Sequence, residues 1–266
     1  MHPFIKEIES IPSSAFRFSI CTMVTDKAEY EEMVDSFLKA GFDQASCEYL
    51  YIDNSIENKY DAYEGLNRFL SIAAGKYIIL CHQDILLNHD NRSKLEQCIE
   101  DANQKFPDWA LLGNAGGISI KRNASKIVSA DGKIHQEEKL PAEVKSLDEN
   151  FILIKKAANL GLSHDLNGYH LYGTDLCLIA GVIGYKAYVI DFLLTHKSFG
   201  NPGKDFYSLK NAFIRKYKGA FGGKFIRTTI TKVFIGGSSF KSIIYNSKTV
   251  FKLISLYHKI LSKPSR

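Results

Sequence analysis

The chain has 266 residues, 45% of them hydrophobic and 24% charged, which is the balance of a soluble globular protein with enough apolar side chains for a sizeable core. No stretch reaches the ~18 consecutive apolar residues of a membrane span, and Met1 to Ser10, with Glu7 and Glu9, follows neither a signal nor a transit pattern. The formal charge of +5 is divided: residues 201–266 hold fourteen Lys and Arg against Asp205 alone, whereas residues 1–200 carry 20 basic and 28 acidic side chains. The acidic part suits a metal ion and the basic part suits a phosphate-rich surface.

In chain order, Phe18 to Val24 reads as a buried strand. Tyr30, Met33, Val34, Phe37 and Leu38 then recur with helical spacing up to Gly41. Glu48 to Asp53 is a second strand, stopped by the polar turn Asp53-Asn54-Ser55. Tyr63, Leu66, Leu70 and Ala73 mark a second helix, with Gly75 as its stop. Tyr77 to Cys81 is a continuous apolar run, as in a strand covered on both faces. Leu95, Cys98, Ile99 and Ala102 mark a third helix, and Trp109 to Leu112 a short strand. This alternation predicts an α/β domain with a mostly parallel sheet flanked by helices.

The next section differs. Ile127 to Ala130 and Lys133 to His135 predict a hairpin around Asp131-Gly132 with a type I′ turn. Val144 to Leu147 and Phe151 to Ile154 read as strands. Thr174 is placed to cap a helix that Gly184 stops. Lys186 to Thr195 reads as a last strand, Asn201-Pro202-Gly203 as a break, and the remainder as basic helices. Five cysteines (Cys21, Cys47, Cys81, Cys98, Cys177), odd in number and without a CxxC pair, read as reduced core residues of a cytoplasmic protein.

Ligands of open α/β sheets bind beyond the C-terminal ends of the strands. Three polar clusters fall at such ends: Thr22 to Asp26, Asp53 to Ser55, and His82 to Asp84. Each alone is compatible with an ordinary loop. Together they describe a pocket for a nucleotide and a divalent ion. The residues assigned to the nucleotide-bearing ligand are Thr22, Val24, Asp53, Asn54, Asn67, His82, Gln83 and Gly116.

Asn67, Ala73, Gly75, Tyr77-Ile78 and His82-Gln83-Asp84 follow the order and spacing of the stretch N-x-G-x-x-x-A-x-G-x-Y-I…D-x-D. On these residues, roughly over 16–200, the chain resembles family 2-like glycosyltransferases of the GT-A fold. The turn Asp53-Asn54-Ser55 is similar to that family's D-x-S turn. Thr174-Asp175 and His196 look like its E-D motif and downstream histidine. The chain departs from the pattern at Phe69 (glycine in the motif), His82 (aspartate) and Thr174 (glutamate), and its first strand lacks the usual proline.

The resemblance implies transfer of a sugar from a nucleoside diphosphate sugar, with UDP-sugars favoured, to a glycan or lipid-linked acceptor hydroxyl. It also implies Mn²⁺ or Mg²⁺ as cofactor and inversion at the anomeric carbon. Asp84 would bind the ion, with His196 and His82 as further ligands; a strand-end carboxylate and two hydrogen-bonding histidines are the competing reading. Asp53 would meet the donor base, or form an Asx turn. Asp175 would be the catalytic base, or an acid favoured by the helix dipole, with Asp148 and Asp165 behind it. Gly116-Gly117 would let backbone approach the donor sugar, or form a turn.

The expected organisation is a transferase domain over 1–200 and a basic helical extension over 201–266. In the extension Phe240, Ile243, Ile244, Phe251 and Ile254 fall on one helical stripe, with Lys241, Lys248, Lys252 and Lys259 off it. That pattern fits attachment to the anionic inner face of a membrane, or packing on the domain. Nucleic acid is not expected, since Arg215, Arg227 and Arg266 are the only arginines there. Two rivals remain: an inactive transferase fold that binds a membrane or nucleic acid, and a sugar nucleotidyltransferase.

Overall fold

The computed structural model describes residue 2 and residues 14–198, 204–227 and 232–261. The expected break at Asn201-Pro202-Gly203 lies outside the described residues. The chain forms two compact units, Met1–Leu209 and Lys210–Arg266.

The first unit begins with β1 (Phe16–Val24), α1 (Lys27–Lys39), β2 (Cys47–Asp53), α2 (Ala62–Ile72) and β3 (Gly75–Cys81). Strand β1 pairs in parallel with β2 on one side and with β3 on the other, so the direction of winding reverses at β1. Then follow β4 (Ile85–Leu86), α3 (Arg92–Lys105), β5 (Trp109–Gly113), β6 (Ala115–Ser119), β7 (Arg122–Val128) and β8 (Ile134–Glu137). The unit continues with β9 (Ala142–Val144), β10 (Ser146–Leu147), β11 (Phe151–Lys155), α4 (Tyr172–Val182), β12 (Lys186–Val189) and β13 (Leu194–His196). The main sheet runs β2-β1-β3-β11-β5-β12-β9, and a smaller one runs β10-β6-β7-β13-β4 with β8 on β7. In the main sheet β11 and β9 run against the others.

Local chemistry explains where the first three helices begin. Asp26, Asp61 and Asn91 each accept a first-turn backbone N–H, a cap worth about 1 kcal/mol. The core beneath the sheet is aromatic. Tyr77 and Trp109 stack at 5.9 Å, and Phe42 meets both Phe18 and Phe37. Trp109 is fully buried and donates its Nε1–H to Asn103, so its one polar atom is satisfied. All five cysteines are thiols, and four are buried.

Several local expectations change. Gly75 opens β3 instead of ending α2, because β1 passes so close that a Cβ there would lie 2.5 Å from the Ser19 nitrogen. The β7–β8 turn is not type I′. Gly132 alone is left-handed (φ 78°) and its N–H reaches the Ser129 carbonyl, as in a type I turn closed by a glycine bulge. The expected strand Val144 to Leu147 is split between β9 and β10, and Lys186 to Thr195 between β12 and β13, with the halves in different sheets. Helix α4 starts at Tyr172 after Leu171, so Thr174 lies inside its first turn and caps nothing.

Helix α5 (Lys204–Phe221) contains the boundary between the units. The second unit also holds β14 (Lys224–Arg227), β15 (Lys232–Ile235), α6 (Ser239–Tyr245) and α7 (Lys248–Leu261). The β14–β15 pair departs from the purely helical expectation. The single apolar stripe is also interrupted. Asn246 exchanges two hydrogen bonds with the backbone of Phe234 in β15, which ends α6 and restarts the helix at Lys248. The side chains of Ile254 and Lys259 lie outside the described residues. No helix among the described residues is long and apolar enough to cross a membrane.

Candidate metal centre and donor crevice

The site is built where β3 ends. The His82 N–H bonds to the Asn150 carbonyl just before β11, which fixes the backbone at the C-terminal edge of the sheet. Three residues later the chain enters β4, and β4 pairs antiparallel with β13 so that Ile85 faces His196. The Lys197 N–H closes the ladder on the Asp84 carbonyl at 3.0 Å. Cross-strand register, not sequence proximity, therefore carries His196 to Asp84.

His82, Asp84 and His196 each offer a ligand atom within 4.8 Å of the other two. His196 Nε2 is 3.4 Å from Asp84 Oδ1, and His82 Nδ1 is 3.9 Å from the same oxygen. The Asp84 and His196 side chains are only 13% and 14% exposed, and His82 forms the open rim at 39%. Burial alone would raise the Asp84 carboxyl. Hydrogen bonds from His196 and Ser198, with the charges of both histidines, outweigh it and hold the group well below the ordinary carboxylate range. Burial lowers the His82 pKa and the neighbouring His196 lowers it further, which favours the neutral imidazole, the form that ligates a metal. Two imidazoles and one carboxylate fit a divalent transition ion better than Mg²⁺, which prefers oxygen.

The other sequence-assigned residues have different surroundings. Gln83 points to the β1–α1 loop: its Oε1 accepts the N–H groups of Thr25 and Asp26, and its Nε2 donates to Thr25 and Glu29. Thr22 is fully buried in β1 with its hydroxyl against Cys81. Val24 is buried, and its carbonyl receives the Asn54 N–H. Asn54 is 8% exposed and spends its amide on Asn58, Lys59, Tyr60 and Tyr169, so it shapes the loop after β2. Asp53 accepts from Ser55 and pairs with Lys27, and both partners keep it well below its usual range. Asn67 clasps the backbone of Leu162 with both ends of its amide.

Gly116 lies in β6, where a Cβ would sit 2.3 Å from the Ser146 carbonyl oxygen; its lack of a side chain is explained by strand packing. Asp175 is fully buried, and its two oxygens accept the N–H and Oγ–H of Ser163, both at 2.7 Å. As placed, it ties α4 to the preceding loop and is shut off from solvent. Asp165 is exposed in a turn after that loop. Asp148 is exposed, bonds to the Asn150 amide, and its charge acts on His82.

Two further residues belong to this edge. Tyr172 is buried and its Oη meets His82 Nε2 at 3.0 Å. The Glu149 carboxyl, beside the first amides of α4, is pushed up to about 8, by burial first and by Asp148 second, although those amides pull it down. Both lie close in sequence to the candidates Asp148 and Thr174-Asp175. Nothing in periodicity marks them, because it does not say which helix end meets which strand end.

No protein-family model matches the chain. Its fold is similar to mannosyltransferase PcManGT of Pyrobaculum calidifontis, solved in complex with GDP-Man and Mn²⁺. The TM-score is 0.52 and the identity 12%, over 82% of this chain and 69% of that one. It is also similar to residues 1–349 of S. aureus TarS, with TM-score 0.52 and 12% identity over 76% of this chain and 66% of that one. At such identity the likeness shows the fold, which is that of GT-A glycosyltransferases. In sequence, the chain is 30% identical over 248 residues to "ATP synthase subunits region ORF 6" of Fuscovulum blasticum, a name that states no activity; the match covers 91% of this chain and all of that protein. The chain belongs to the family of that Fuscovulum blasticum protein and carries a GT-A fold.

Proposed function

We propose that this protein is a metal-dependent glycosyltransferase using a nucleoside diphosphate sugar. The observation that carries the reading is the His82–Asp84–His196 cluster at the C-terminal edge of β3 in a GT-A fold. The Mn²⁺ and GDP-Man of the Pyrobaculum structure support it by likeness of fold. Asp84, His196 and His82 would hold the ion, with Mn²⁺ preferred on the donor set. A bound ion would neutralise charge on the departing diphosphate.

In the reaction the acceptor oxygen attacks the anomeric carbon. The bond from that carbon to the diphosphate oxygen breaks, its electron pair leaves with the nucleotide, and the configuration inverts. The acceptor's proton passes to a carboxylate. The accessible carboxylate at this edge is Asp148, so we assign it the role of base; Asp175 serves the loop instead. Asp53 at the end of β2 remains the group assigned to the donor base.

A nucleotidyltransferase is disfavoured because the Thr25 and Asp26 amides of the β1–α1 loop, where a phosphate would be cradled, are occupied by Gln83. The acceptor is a glycan or a lipid-linked intermediate. The second unit, with thirteen Lys and Arg and no acid, would hold the enzyme on an anionic membrane surface where such acceptors lie.

The test is calorimetry and donor turnover with UDP- and GDP-sugars, with and without Mn²⁺. Mn²⁺-dependent binding of a nucleoside diphosphate and slow release of free sugar are expected. A folded chain that binds no nucleoside diphosphate under either condition would overturn the reading.

A further inference from the structure

His82 turns its two ring nitrogens to two different neighbours. Nδ1 faces Asp84 Oδ1 at 3.9 Å, and Nε2 meets Tyr172 Oη at 3.0 Å. The same Oη lies 3.2 Å from the Glu149 carbonyl oxygen, to which it can only donate. A phenol has one proton to give. When that proton goes to the Glu149 carbonyl, Oη is left as an acceptor, and the N–H of the neutral imidazole must be on Nε2. The lone pair is then on Nδ1, beside Asp84. In the opposite arrangement Oη–H points at Nε2, the imidazole proton sits on Nδ1, and the carbonyl loses this donor. The first arrangement satisfies all three groups in one chain, Nε2–H to Oη–H to O=C.

We infer that Tyr172 is a positioning residue: it holds His82 in the Nε2–H tautomer and so presents Nδ1 as a ligating lone pair beside Asp84 and His196. The inference rests on the metal reading proposed above. It links the centre to the start of α4, because Tyr172 is the first residue of that helix and its side chain is buried. The ring cannot swing away without undocking the helix start. Partners that orient a metal-binding histidine typically change metal affinity 10–100-fold.

The test uses the full chain and two readouts independent of turnover. The first is the ¹⁵N chemical shift of the His82 ring nitrogens without metal, assigned by comparison with His82→Ala. The second is Mn²⁺ titration followed by electron paramagnetic resonance. In the wild type Nε2 is protonated and Nδ1 is not. Tyr172→Phe keeps the ring and removes only Oη; it loses that preference and binds Mn²⁺ about 10–100-fold more weakly. A proton on Nδ1 in the wild type overturns the inference, whether or not the variant folds. Normal wild-type Mn²⁺ binding with unchanged tautomer and affinity in Tyr172→Phe overturns the role of Tyr172 alone. A wild type that binds no Mn²⁺ overturns the metal reading and this role together.

Discussion

Asp175 and Ser163 form a closed pair: each carboxylate oxygen of Asp175 accepts one hydrogen bond from Ser163, at 2.7 Å from the backbone nitrogen and 2.7 Å from the hydroxyl. The pair is buried on both sides and sets the loop before α4. A base that must take a proton from an incoming acceptor needs an open oxygen, which Asp148 has and Asp175 lacks.

Asp148→Asn should therefore fold normally and lower turnover by ~10²-fold or more, with donor binding little changed. Asp175→Asn should instead lower stability by about 1–3 kcal/mol, as expected when a buried charge-assisted pair is broken. Turnover at saturating substrate and thermal melts separate the two. A stable, inactive Asp175→Asn beside an active Asp148→Asn would reverse the roles.

The proposed metal centre predicts a graded loss. Asp84→Asn removes the only carboxylate of the cluster and should abolish Mn²⁺-dependent nucleotide binding. His196→Ala should weaken it, and neither change should reduce helix content. Calorimetry with Mn²⁺ and nucleoside diphosphate is the measurement, and retained metal-dependent affinity in Asp84→Asn would refute the assignment.

Glu149 predicts a pH dependence. Its folded-state pKa of about 8 lies above the ordinary value of 4.5, so between those values the native state binds more protons than the unfolded one. Stability then falls as pH rises from about 4.5 to 8, by up to ~1.4 kcal/mol per pH unit from this group. Glu149→Gln, whose amide oxygen can still accept the Gly173 N–H, should be more stable than the wild type at pH 8 and show a flatter profile. Denaturant titrations at pH 5.5 and 8 check the sign.

The second unit exposes apolar side chains next to cations: Phe240 and Ile243 on α6, and Leu253 and Leu256 on α7, with Lys241, Lys248 and Lys252 exposed nearby in sequence. Full-length protein should co-sediment with anionic vesicles at low salt and less at high salt. Neutralisation of those three lysines by glutamine should weaken binding on the order of 100-fold, at about 1 kcal/mol per lysine. Leu253→Ser with Leu256→Ser should also weaken it, with less change in salt dependence. Equal binding to neutral vesicles would contradict the proposal.

Sequence by itself determined what depends on neighbours in the chain. The apolar run Tyr77 to Cys81 had to be a covered strand, and the polar His82-Gln83-Asp84 had to follow at its end. The spacing of Met33 and Phe37 placed them on the inner face of α1, and both are fully buried. Gly41 and Gly184 stood just past helix ends, and both adopt positive φ. These features rest on periods of 2 and 3.6 residues and on short-range hydrogen bonds.

Tertiary structure decided what depends on distant pairings. Lys186 to Thr195 reads as one strand, yet its halves serve two sheets because β12 finds β5 and β13 finds β4. Asp175 is expected from the sequence as a catalytic base or as an acid favoured by the helix dipole, but the docking of α4 turns it inward to Ser163. Tyr172, three residues earlier and without a helical-wheel signal of its own, is brought to His82 by the same docking. Gln83 and Asp84 are adjacent in sequence and face different tasks, one holding the β1–α1 loop and the other the two histidines. Local pattern specifies which residues are buried together on an element; only cross-strand register and helix docking specify which polar atoms of separate elements end within bonding distance.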